Sequence, residues 1–124
     1  MKIFFSTVLV LNFLVEGLAS SSLIAGPEGV QAVGLGGQWS MHYGFAALAI
    51  ASVSLWAWPH RTDKKTVTTI LGVLVTFHTG LFISLSVAGD QMAGMITHGV
   101  LMTLLIILFT QRSKWCESNN PIAK

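Results

Sequence analysis

Apolar residues in this chain fall into four long runs separated by short polar breaks. They cover residues 3–25, 40–58, 66–88 and 91–111. A helix rises about 1.5 Å per residue and needs roughly 20 apolar residues to cross about 30 Å of hydrocarbon, so each run is of spanning length. The last two runs meet at Gly89-Asp90-Gln91, a turn so short that they must be antiparallel neighbours. The pattern predicts an all-α four-transmembrane-helix bundle with short loops. Residues 1–111 form its single membrane domain and residues 112–124 a polar, loosely ordered cytoplasmic tail.

Polar and small positions inside the runs assign faces. In the first run Asn12, Glu16 and Ser20 recur every fourth residue and share one helical face. That stripe favours a retained helix ending at Gly26-Pro27 over a signal peptide cleaved after Gly17-Leu18-Ala19. The second run, with Ser40 as its expected N-cap and Pro59 as its stop, is slim because of Gly44, Ala46, Ala47, Ala49, Ala51, Ser52 and Ser54. Trp39, Trp56 and Trp58 mark its interfacial ends. In the third, Gly72, Thr76 and Gly80 form a small-residue stripe expected to make a close helix contact. The fourth carries Gly94 and His98 at the same spacing. The glycine-rich connection over 26–39 lacks the Gly-Lys-Ser/Thr of a phosphate loop and reads as a plain linker.

Composition and charge narrow the class. Of 124 residues, 52% are hydrophobic and 10% charged, far below the roughly 25% charged residues usual in soluble domains. All seven Lys and Arg residues lie at the N-terminus, in the 59–65 loop or in the tail. With four spans these places share one side, and the positive-inside rule makes that side, with both termini, cytoplasmic. Basic residues so thinly spread beside helix ends suit anionic headgroups and not a nucleic acid. The single Cys116 excludes an internal disulfide and any CxxC motif.

Apart from Tyr43, the ionisable side chains within the runs are Glu16, His42, His78 and His98. Such groups are costly in hydrocarbon and turn toward partners or wet cavities. Counted from the outer helix ends, His42 lies about 3 Å deep, His98 about 10 Å, Glu16 about 13 Å and His78 about 15 Å. Asn12, Glu16, His42, His78 and His98 are therefore the candidate ligand-binding residues of a polar pocket in the outer half of the bilayer. His78 and His98 come within about 5 Å of each other in depth, with Glu16 their expected acidic companion. Ordinary interhelical hydrogen bonding would explain the same residues. Two sharper chemistries compete with it. One is haem held by His78 and His98. The other is copper held by His98 and His78 with Met95 and Met102, since thioether and imidazole ligands suit Cu(I). There is no carboxylate pair, no nucleophile–base arrangement and no HExxH, so a non-enzymatic protein is expected.

Residues 3–111 also resemble the small DoxX-like four-helix membrane proteins. The similar features are a first span ending in Gly26-Pro27, a glycine-bearing loop and a second span opening His42-Tyr43-Gly44-Phe45-Ala46-Ala47. A basic loop and a final hairpin with His98 in its last helix complete the likeness. The family's more usual arginine at the second-helix start is His42 here, and its acidic partner is not evident. The resemblance implies four helices, and either an accessory role beside a larger membrane complex or redox work with a quinone. The expected protein is a small integral membrane protein of the bacterial cytoplasmic membrane, accessory or small-ligand-binding. Its partners are the bilayer and a larger complex or its own copies. A redox protein carrying haem or copper, or meeting a quinone, is the alternative.

Overall fold

A computed structural model of the chain describes residues 1–27 and 39–116. Four long helices carry the fold: α1 Lys2–Ala25, α2 Trp39–Ala57, α3 Lys64–Ala88 and α4 Met92–Gln111. Short 3₁₀ turns follow α2 at Trp58–His60 and α4 at Arg112–Lys114. Among the described residues there is no strand, and all four helices are long and apolar enough to cross a membrane. Glu28, the Gly34–Gly37 stretch and the tail beyond Cys116 lie outside the described residues. The chain divides into two compact units, Leu9–Trp58 and a second joining Met1–Val8 to Pro59–Lys124.

In the first unit α1 and α2 run antiparallel, since Asn12 meets Ser54 while Leu23 and Ile24 meet Ser40 and Gly44. Leu9, Asn12, Glu16 and Ser20 are buried along one face of α1, so the predicted polar stripe is an inward one. On α2 the buried positions are Gly44, Ala47, Ala51, Ser54 and Ala57, a three-and-four spacing of small residues that keeps one side slim. Gly44 is required there: a Cβ would stand 2.7 Å from Ile24 Cγ1 and 3.2 Å from the Ile24 backbone nitrogen. Ser40 is not the N-cap, because α2 already starts at Trp39. Its hydroxyl instead donates to the Leu23 carbonyl at 3.3 Å.

In the second unit the Asp63 carboxylate caps α3, accepting from the Thr66 amide at 2.8 Å and the Thr66 hydroxyl at 2.5 Å. This cap starts the helix at Lys64, two residues before the apolar run that announces it. Gly89 ends it at φ 74°, a left-handed C-cap that glycine adopts without steric penalty, and its N–H donates to the Leu85 carbonyl at 3.0 Å. α3 buries Val67, Leu71, Leu74 and His78; α4 buries His98, Leu101, Leu105 and Leu108. Both sets follow the alternating three-and-four spacing by which helices interlock side by side. Phe82 fills the space beside Gly99, where a Cβ would stand 3.1 Å from its ring, and Leu85 fills that beside Gly94.

Two expectations are corrected here. A Cβ at Gly72 or Gly80 would meet nothing within 4 Å, so the Gly72–Thr76–Gly80 stripe makes no close helix contact among the described residues. Its Thr76 hydroxyl turns back to the Gly72 carbonyl at 2.9 Å, which satisfies it without a neighbour. Nor is the chain loosely ordered directly after Gln111. Arg112 Nε donates to Thr68 Oγ1 at 2.9 Å, and the guanidinium lies 4.1 Å from the Phe109 ring centroid. Trp115 is buried against Phe5, ring centroids 4.9 Å apart.

Candidate functional site

His78 ends the buried stripe of α3 and His98 begins that of α4. Each is continuous with leucines that lock the two helices together, and the turn at Gly89 brings the two ends to the same level. The imidazoles meet directly, with Nδ1 of His78 2.9 Å from Nδ1 of His98. Ring centroids are 5.2 Å apart and the planes inclined by 30°. Phe77 sets its ring edge-on to both, at 5.3 Å from His78 and 6.4 Å from His98. His78 is fully buried and His98 is 9% exposed.

Chemistry follows from that contact. An N–H···N hydrogen bond needs one donor and one acceptor, and a neutral imidazole carries one proton on either Nδ1 or Nε2. A neutral pair bonded Nδ1 to Nδ1 therefore holds its rings in opposite tautomers, with a single proton between them. The outer Nε2 atoms are then one acceptor and one donor. Such a pair can take up a proton, or offer nitrogen lone pairs to a ligand.

Haem does not fit between these rings. Axial nitrogens stand on opposite faces of the macrocycle, about 4 Å apart at metal–nitrogen bonds of about 2 Å. Two nitrogens in direct contact at 2.9 Å leave no place for the porphyrin plane. Met95 and Met102 line an apolar groove with Phe82, Ile96 and Gly99, and neither histidine lines it.

The remaining candidates lie on α1 and α2. Asn12 is fully buried and donates from Nδ2 to Ser54 Oγ at 2.9 Å and to the Ile50 carbonyl at 3.2 Å, so it ties α1 to α2. Glu16 is buried one helical turn further along the same face of α1. His42 is exposed, contrary to its place in a pocket, and meets only the Trp39 ring edge-on, at 6.1 Å, among the ring contacts described. It lies two residues from the buried Gly44, about 200° around the helix, and so on the opposite face. Sequence reasoning missed Ser54, which reads as one more small residue, and Phe77, which reads as one more apolar one. Outside the spans, burial pushes the Cys116 thiol above its ordinary range; Asp63 adds to this, while Lys64, Arg112 and Lys2 oppose it.

No family model matches the chain, and neither does any curated protein or solved structure.

Proposed function

We propose that this chain is a small, non-enzymatic integral membrane protein whose buried His78–His98 pair is the centre of an intramembrane ligand-binding site. The observation that supports the reading is the direct Nδ1···Nδ1 contact at 2.9 Å. Pure packing asks nothing of this position that an aliphatic side chain would not supply, as valine or leucine does at the other buried α3 and α4 positions. Two imidazoles placed head to head in a low-dielectric interior instead keep a reactive pair together. A membrane site of this size without a nucleophile–base arrangement suits an accessory or binding role, in keeping with the resemblance to DoxX-like proteins. The placement of all seven basic residues supports a bacterial-type cytoplasmic membrane with both termini inside.

An absorption spectrum of the protein purified in detergent tests the binding role against the redox alternative. We expect no Soret band and no extractable quinone. Either one at near-equimolar amount would replace the binding role with a redox one. Orientation is tested at Cys116. A membrane-impermeant maleimide should label it only after cells are opened, and slowly at neutral pH because the half-buried thiol holds its proton. Labelling of intact cells would reverse the topology.

A further inference from the structure

The ligand of the histidine pair follows from its geometry. We propose that His78 and His98 bind one divalent transition-metal cation through both Nδ1 atoms, an inference that rests on the shared-site reading above. Imidazole suits Zn, Cu, Fe and Ni. At metal–nitrogen bonds of about 2.0–2.1 Å, two nitrogens 2.9 Å apart subtend about 90° at the ion. That is the cis angle of a square-planar or octahedral centre, the preference of Cu(II) and Ni(II). A tetrahedral ion would need the nitrogens to part to about 3.3 Å, a small adjustment. Linear Cu(I) would need about 4 Å and a different packing of the two rings.

Binding changes protonation in a simple way. In the metal-free pair one ring carries its proton on Nδ1 and the other on Nε2. Metal binding requires both Nδ1 lone pairs, so the shared proton leaves Nδ1 and returns to Nε2 of the same ring. The pair keeps two protons throughout, and both Nε2–H groups then point away from the ion as donors. Phe77 sets its ring edge-on to both, and the two Nδ1 atoms already face each other before an ion arrives. Leu74 and Leu101, both buried one turn further in, close the site toward the helix interior. The slight exposure of His98 marks the more open side.

The test uses the full chain in detergent micelles with Cu(II), Ni(II) and Co(II) salts as probes. One ion per chain should bind. His78→Asn and His98→Asn should each weaken binding by more than about 100-fold, since loss of a ligand costs more than the 10–100-fold typical of an outer-shell partner. The exposed His42→Asn should leave it unchanged. Electron paramagnetic resonance of the wild-type protein with Cu(II) should show coupling to two imidazole nitrogens, a readout that needs no variant to fold. Absence of binding, or binding untouched by either substitution, overturns the inference. Unfolding of the same variants without metal separates the two levels. Non-additive His78 and His98 substitutions with no metal bound overturn the metal and leave the shared site. Additive ones overturn both.

Discussion

Asn12 in α1 and His78 in α3 do the same job with different chemistry. Each places a buried polar group between two antiparallel apolar helices. The Asn12 amide spends both protons at once, one on Ser54 and one on the Ile50 carbonyl. Its donor and acceptor roles are fixed, so the contact has one arrangement. The imidazoles of His78 and His98 can exchange roles, because each ring can carry its one proton on Nδ1 or on Nε2 and the pair is complementary whenever both rings change tautomer together. The first contact is a fastener and the second is a place where something can be gained, lost or replaced. Buried polarity in a membrane helix thus marks a site only when its partners have an alternative state.

Replacements can break or sharpen this contrast. The largest effect is expected at Gly44→Leu, where the new side chain meets Ile24 backbone and Leu23 Cβ. Overpacking against backbone should cost about 3 kcal/mol, measured by denaturant unfolding in mixed micelles. Full tolerance would show that α1 and α2 do not pack at this point.

His98→Leu comes next, at about 1–2 kcal/mol, because it leaves His78 without its Nδ1 partner inside a buried stripe. His78→Leu combined with it should recover part of that loss, since two leucines continue the apolar packing. A double variant weaker than the sum of the singles would argue against a shared site.

Asn12→Leu should cost less, about 0.5–1 kcal/mol. Its partner Ser54 can turn its hydroxyl back to the Ile50 carbonyl one turn earlier, as Thr68, Thr76 and Thr97 do in their own helices. A cost equal to that of His98→Leu would erase the distinction between the two contacts.

The smallest effect belongs to Gly80→Leu, within about 0.5 kcal/mol, because nothing lies within reach of the added side chain. Leu71→Phe, at a fully buried position, should cost more. The reverse order would show that the Gly72–Gly80 stripe is covered by a partner helix.

How much of this was readable in advance depended on whether a residue declares its own direction. The four helices were legible as apolar runs, because length alone decides whether a helix can span. The inward face of α1 was legible because Asn12, Glu16 and Ser20 cannot all tolerate lipid. The meeting of His78 and His98 was legible because the turn at Gly89 leaves a hairpin almost no freedom of register. The Gly72–Gly80 stripe misled for the opposite reason. A glycine has no side chain to show whether a neighbour or hydrocarbon covers it, and its spacing is the same in both cases. Ser54 hid among small residues, and the reach of Arg112 to Thr68 depends on a tertiary fold that no local pattern encodes. The proposed ligand class was legible only as a choice, since haem and copper were both expected at the same two histidines and differ in the gap they need between them.

The contact of Phe5 with Trp115 carries a consequence of its own. Phe5 stands in the first turns of α1, and Trp115 follows the last turn of α4. Rings 4.9 Å apart must sit on the same side of any membrane the helices cross. A path from Phe5 to Trp115 whose two ends share a side crosses an even number of times, whatever the charges of its loops. Parity therefore admits two or four crossings and forbids three, and it ties the count to a single pair of aromatic rings. Cleavage of the first helix would remove Phe5, strip Trp115 of its cover and turn an even path into an odd one.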